Sequence, residues 1–309
     1  MQDTGELLRQ TSIIVCTTDR FEDLARCLES LQCFRGTGAE IVVVNNGPAQ
    51  SSVADIAASS QARVALEPRL GVSRARNAGI REARGTILAF LDDDSVADSN
   101  WLPLLLAPLE DRQVAGVVGS IGSQTLADPV SQALHTLHHA GFPTSRVVLE
   151  AGPEENVFPL RLALVGNGNM AIRREAFAHF GGFDERLGRG TRIGSGEEPD
   201  LLFRLLRGGA RVVVEPAACI LHRHSTQRRA VGRWAFRSGA AHTAILTKYF
   251  LQEPALRGAI WRYVRNRTVR RGVGPESTGA RPGALPRMPF LAGSLYGPFA
   301  WFLSRRQIL

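Results

Sequence analysis

GVSRARNAGIREARGTILAFLDDDS, residues 71–95, reads as a helix-length amphipathic stretch, a stop at Gly85, the apolar run TILAFL (86–91) and three consecutive aspartates. A helix feeding a short apolar strand is half of a βαβ unit, and the same grammar recurs on both sides. Upstream, SIIVCT (12–17) predicts a strand, 21–33 a helix, EIVVVNN (40–46) a second strand and 62–66 a short third. Downstream, VAGVVG (114–119) predicts a fifth. Such β-branched runs, apolar on both faces and separated by helices, call for a mostly parallel sheet with helices on each side, the Rossmann-like α/β class.

In an open α/β sheet the ligand lies beyond the carboxyl ends of the strands, which is where the acidic triplet FLDDDS (90–95) stands. If the backbone stays extended past Leu91, Asp92 and Asp94 point one way and Asp93 the other. Two carboxylates aimed together repel unless a cation sits between them, and oxygen ligands suit Mg2+ or Mn2+. The plainer alternative is a solvated loop that caps a following helix through Ser95 or Ser99.

The composition narrows the field. With 309 residues, 44% hydrophobic and 21% charged, the chain is neither disordered nor a small scaffold in need of staples. Four cysteines form no CxxC pair, which predicts buried free thiols. Lys248 is the sole lysine and GxGxxG is absent, so neither a Walker A loop nor a nicotinamide dinucleotide site is supported. Residues 223–309 carry 16 basic residues against two acids, whereas 1–222 are net acidic by about six charges. The middle predicts a helix near 128–140, a turn at GNGN (166–169), a helix over 197–207 and a strand RVVVEP (211–216). Long Arg-rich helices follow at 228–250 and 254–271, and then an apolar tail, PFLAGSLYGPFAWFL (289–303). That tail is broken by Pro289 and Pro298 and is too short to span a bilayer.

The order of strand, TTDR, helix, VVVNNG, SRARNAG, strand and DDD resembles the nucleotide-binding half of family 2 glycosyltransferases, over roughly residues 11–225. The resemblance implies a GT-A fold, that of the nucleotide-diphospho-sugar transferases, and inversion at the anomeric carbon. It implies a transferase domain over 1–225, with a nucleotide-binding half at 11–119 and an acceptor and catalytic half at 120–225. A C-terminal helical extension over 226–309 completes the chain. Thr17, Asp19 and Arg20 would meet the nucleotide base, as would Asn45, which stands where the family has an acid. Arg76 and Asn77 match the family's RNxG segment beside the uracil or diphosphate. Asp92 and Asp93 would lie on the nucleotide-sugar, with Asp92 near the ribose. Asp94 would hold the metal, Mg2+ or Mn2+, with His222 of LHRHS (221–225).

IGSGEEPDLLFRL (193–205) resembles the family's catalytic helix start and puts Glu198 in the place of the base, with Glu197 and Asp200 on the acceptor. Acids in a helix's first turn also favour the macrodipole, which explains the cluster without chemistry. GNGNMAIRREAF (166–177) and GGFDE (181–185) resemble the acceptor segment and nominate Asn167 and Asn169. The implied activity is metal-dependent transfer from a UDP-, dTDP- or GDP-linked sugar to a glycan or glycolipid hydroxyl in cell-surface glycan synthesis. The alternatives are a catalytically inactive nucleotide-sugar-binding or structural subunit and, further off, a nucleic-acid binder. The acidic body and the lack of an RNP or zinc-finger pattern argue against nucleic acid. The opening residues, MQDTGELLRQ, contain no apolar h-region, so a cytoplasmic chain is expected. The basic, aromatic tail (Phe290, Tyr296, Phe299, Trp301, Phe302) would rest peripherally on the anionic inner face of the plasma membrane.

Overall fold

A computed structural model describes residues 3–124, 126–139, 142–150, 168–269 and 287–304. The predicted runs form β1 (Thr11–Thr17), β2 (Glu40–Asn46), β3 (Arg63–Glu67), β4 (Ile87–Asp92) and β6 (Val114–Ser123), and the short β5 (Ser95–Ala97), which the sequence reading did not predict, follows β4. β7 (Val147–Leu149), β8 (Met170–Arg173) and β9 (Arg211–His222) follow. The helices are α1 (Thr4–Arg9), α2 (Phe21–Ser30), α3 (Ser51–Ser59), α4 (Val72–Glu82), α5 (Trp101–Leu106) and α6 (Pro129–His139). After them come α7 (Arg174–Phe180), α8 (Glu197–Arg207), α9 (Arg229–Gln252), α10 (Arg257–Val269) and α11 (Arg287–Ser304).

All nine strands join one sheet in the order β3-β2-β1-β4-β8-β6-β9-β5, with β7 also paired to β9. β3, β2, β1 and β4 run parallel, as the runs of β2, β1 and β4, buried on both faces, require, while the edge strand β3 exposes Val64 and Leu66. One face packs Ile13, Val15 and Val43 against Leu24 and Leu28 of α2 and Val53 of α3. The other packs Ile14, Val44 and Phe90 against Ala75 and Ala78 of α4 and Leu201, Leu202 and Leu205 of α8. Gly79 is what lets α4 approach so closely, because a Cβ there would strike Ile14.

Three features depart from the sequence reading. α4 ends at Glu82 rather than at Gly85, whose small size instead lets the chain pass tightly against the Gln10 carbonyl and Ser12 at the start of β1. β9 continues six residues beyond Pro216 because its pairing with β6 slips between Gly119 and Ser120, leaving the proline in a bulge where no ladder N–H is needed. Cys33 is exposed, against the expectation of four buried thiols.

The insertion of β8 between β4 and β6 positions the site. It runs antiparallel to β4 with Met170 opposite Phe90, so continuing the register brings Gly168 opposite Asp92. α9, α11 and the sheet share one core, which includes Ala241, Ile245, Tyr249, Ala300 and Trp301 along with Phe90 and Met170. α9 and α11 meet backbone to backbone: a Cβ on Gly293 would strike the Phe236 carbonyl, and one on Gly297 the Ala240 carbonyl. Trp301 is buried beneath the Arg186 guanidinium, 4.0 Å from its ring centroid, and Tyr296 packs on Phe236. Neither faces outward as the tail reading expected. Among the described residues, no helix is long and apolar enough to cross a membrane.

Candidate active site

β4 delivers Asp92 to the carboxyl edge of the sheet, the chain turns through Asp93 and Asp94, and β5 returns alongside the end of β9 with Ser95 opposite His222. That pairing sets His222 Nε2 3.0 Å from Asp94 Oδ1. Asp92, Asp94 and His222 each offer a ligand atom within 4.8 Å of the others. Two carboxylates and an imidazole converging from one turn and one strand end form a donor set that suits Mn2+ or Mg2+, so the residues present fit a divalent ion. The chain turns at Asp93 and Asp94, so the strict alternation expected from an extended backbone does not carry through. Asp93 is fully buried, accepts a hydrogen bond from Thr17 Oγ1 at 2.7 Å and pairs with Arg20. Arg20 bridges Asp93 to Asp94.

The environments of these acids differ sharply. Burial pushes Asp93 up to about 7, against the pull of Arg20. Burial would raise Asp94 as well, but the hydrogen bond and charge of His222, joined by Arg20, hold it well below the usual carboxylate range. His222 moves the opposite way, raised by Asp94 although burial opposes the charge. A proton on His222 must leave before the ring can ligate a metal.

Behind this edge lies a second acid cluster. α8 begins after Gly196, whose φ of 98° only glycine adopts without strain, and its first turn carries Glu197, Glu198 and Asp200. Arg76 of α4, 3% exposed, lies 3.1 Å from Asp92 Oδ1, 3.1 Å from Glu197 Oε1 and 2.8 Å from Glu198 Oε1. Its guanidinium also lies over the Phe183 ring. Glu198, 5% exposed, accepts the Gly168 N–H at 2.7 Å. Burial pushes the Glu198 carboxyl up to about 7, with Glu197 and Asp92 adding to the rise. Arg76 opposes that rise but cannot cancel it, because one cation is divided among three carboxylates. A carboxyl poised near neutrality can take a proton at physiological pH.

The remaining expected residues separate into those near this cluster and those spent elsewhere. Asp19 is exposed, and its carboxylate accepts a hydrogen bond from the Thr18 hydroxyl. Asn45 is buried at the end of β2, and among the described residues its Oδ1 has no hydrogen-bond partner. Asn77 is not free for a nucleotide, since its Nδ2 donates to the Phe183 carbonyl and its Oδ1 accepts the Phe183 N–H. Asn169 is not free for an acceptor. It is fully buried, donating to the Ser120 and Ala218 carbonyls and accepting from Trp101 Nε1, so it ties β6 to β9. Asp200 likewise points into the core, bonded to Lys248 Nζ at 2.6 Å, Tyr249 Oη at 2.9 Å and Arg204 Nε at 3.1 Å. Asn167 lies outside the described residues. The sequence reading missed Gly168, whose φ of 75° and missing Cβ admit the Asp92 carboxylate against its backbone. It also missed Lys248, although its being the sole lysine was a signal.

The sequence profile of glycosyl transferase family 2 matches residues 12–180. The chain belongs to that family. The pre-mycofactocin glycosyltransferase of Mycobacterium tuberculosis is 31% identical over 245 residues, which are 77% of this family 2 chain and 48% of that protein. The chain thus spans about half the length of the curated relatives it matches. Among solved structures, a mannosyltransferase from Pyrobaculum calidifontis in complex with GDP-Man and Mn2+ superposes with a TM-score of 0.55 at 17% identity, covering 96% of this chain and 73% of the other. Glucosyl-3-phosphoglycerate synthase from Mycobacterium tuberculosis, in complex with Mn2+, UDP and glucosyl-3-phosphoglycerate, gives 0.52 at 19% identity over 80% and 84% of the two chains. The fold they share with this family 2 chain is GT-A: a mostly parallel Rossmann-like sheet, here with a helical C-terminal region.

Proposed function

We propose that this family 2 chain transfers a sugar, with inversion, from a nucleoside diphosphate to an acceptor hydroxyl, using Glu198 as the base. The observation that carries the reading is the pairing of a divalent-cation donor set, Asp92, Asp94 and His222, with a buried carboxyl raised to about 7, the two linked through Arg76. Residues 11–119 serve the donor and 120–225 the acceptor, with α9 and α11 of the 226–309 extension packed behind them. On the donor side, the orphaned Asn45 Oδ1 awaits an N–H from the base, while Asp93 and Thr17 hold the loop bearing Asp19 and Arg20 at the nucleotide.

In the reaction the acceptor oxygen attacks the anomeric carbon as Glu198 takes its proton. The bond from that carbon to the diphosphate oxygen breaks, and the electron pair leaves with the diphosphate. Attack from the side opposite the leaving group inverts the centre. A divalent ion held by Asp92, Asp94 and His222 would supply Lewis-acid stabilisation of the leaving charge. Arg76 keeps the three carboxylates from driving one another apart and stays charged throughout, since their field raises it above its usual value despite burial. Mn2+ in the two structural neighbours and the family's assignment to sugar transfer support this reading. The basic tail and the exposed apolar face of α11 support attachment to an anionic membrane, as suits a glycolipid acceptor.

Asp94→Ala should abolish transfer from UDP-, dTDP- and GDP-sugars, and EDTA should suppress it. Full activity under either condition removes the metal role. Donor binding with neither hydrolysis nor transfer would instead make the chain an inactive nucleotide-sugar-binding subunit.

A further inference from the structure

The arginines that reach into the body are mostly committed: Arg76 to three carboxylates, Arg186 to Asp184, and Arg204 to Asp200. Beside the catalytic helix stands an exposed group that is not. Arg229, Arg233 and Arg237 follow one another at intervals of four on α9 and so share one face of it. That face continues through Ala241 and Ile245, which press on Gly196, the residue preceding Glu197 and Glu198. At about 1.5 Å of rise per residue, the stripe runs for about 12 Å away from the start of α8. Arg237 lays its stem on Gly194, whose φ of 80° and missing side chain leave room for it. Arg189 faces the same place from the 188–196 loop, close enough for its charge to reach Arg237, Asp94 and His222.

We propose that Arg189, Arg233 and Arg237 bind the phosphate of a phosphate-bearing acceptor, an assignment that rests on the transferase reading above. Among the described residues no carboxylate lies within ion-pair distance of any of the three; the one side-chain partner of Arg233 is the neutral Gln227 Oε1, at 2.9 Å. Burial and the charges of Arg189 and Arg233 hold Arg237 below its usual value, so the cluster repels itself and an anion would relieve it. A carboxylate brings one charge, whereas a phosphate monoester brings nearly two and three acceptor oxygens, a match for planar guanidinium forks. Arg189 stands between the donor's metal ligands and this stripe, and Arg233 and Arg237 set the anion on the side of the stripe. The stripe approaches from the α8 side, where Glu198 must meet the acceptor hydroxyl, so a phosphate here would hold that hydroxyl at the end of its own molecule.

The test measures binding to the full chain in EDTA, which removes metal-held anions, with glycerol phosphate and decyl phosphate as probes and glycerol and decanol as neutral controls. The phosphates should bind and the alcohols should not. Arg233→Gln combined with Arg237→Gln should weaken phosphate binding by about tenfold or more, and Arg112→Gln, an exposed charge elsewhere, should leave it unchanged. Binding of both phosphates identifies a soluble ester acceptor, and of decyl phosphate alone a lipid phosphate; either supports the site. Equal binding by the double variant, binding of the alcohols, or, in a second assay with Mn2+ in place of EDTA, displacement of the probe by UDP or GDP overturns it, the last because the arginines would then belong to the donor. Should arginine-dependent binding persist in a protein that turns over no nucleotide sugar, the anion site stands and the transferase reading falls.

Discussion

Glu198 shows how one residue's chemistry is made by its neighbours. A glutamate in water is ionised above about pH 4 and too weak a base to matter. Here burial raises it to about 7, so the base form is lost as pH falls through neutrality. We expect kcat/KM to fall about tenfold per unit below pH 7 and Glu198→Gln to lose about 100- to 10,000-fold, with the acid limb gone from its residual rate. A profile flat from about pH 5.5 to 8 would remove Glu198 as the base. The carboxylates of this site were legible in the sequence because acids directly after a buried strand have few other reasons to be there. The division of Arg76 among Asp92, Glu197 and Glu198 was not, since the two glutamates lie more than a hundred positions from Arg76 and spacing carries no such information. For the same reason Asn77, Asn169 and Asp200 resembled ligand-binding residues in sequence and proved to be internal ties.

Among the elements, the decisive junction is that between α8 and α9. Lys248, almost fully buried, reaches Asp200 in the first turn of α8 and Asp184 in the loop before it, at 2.6 and 2.9 Å. Tyr249 adds its hydroxyl to Asp200. The α8 turn that aims Glu198 is therefore clamped from behind by a helix that the sequence set apart as an Arg-rich extension. Helix positions were readable from periodicity, but the partner of each helix was not. Lys248→Met leaves two buried acids short of a cation and should cost about 3–5 kcal/mol in chemical denaturation, with a fall in kcat larger than any change in KM. Loss of less than about 1 kcal/mol would show that Arg186 and Arg204 suffice. The acid sensitivity has a definite sign. Although burial opposes it, bonds from Arg186 and Lys248 hold Asp184 below its ordinary value. That stabilisation is present above about pH 4 and is lost as pH falls through the lower folded value. The variant should lose part of this acid-labile stability.

Across the whole molecule, α11 inverts the usual rule of burial. Its inner face is Gly293, Gly297 and Ala300 with the single large Trp301, while Met288, Leu291, Leu295, Phe299 and Phe302 lie outward at spacings of three and four, with Leu295 83% exposed. Burial of apolar area alone would turn the large residues toward the core. Here the glycines take that place because they let α11 pack backbone to backbone on α9, and the displaced large residues form a continuous ridge in solvent. A ridge of this size requires cover. The strong positive charge of residues 223–309 favours anionic lipid, where each basic group near the surface adds about 1 kcal/mol to the apolar term. Leu295→Glu with Phe299→Glu removes two insertions worth about 1.5–3 kcal/mol each, so vesicle partitioning should fall more than a hundredfold while the thermal midpoint holds, both side chains being clear of the core. Wild-type protein should sediment with phosphatidylserine vesicles and far less with phosphatidylcholine alone. If instead the wild type is a dimer in gel filtration and the variant a monomer, with neither bound to vesicles, the ridge is covered by a second copy of this chain and the membrane reading fails.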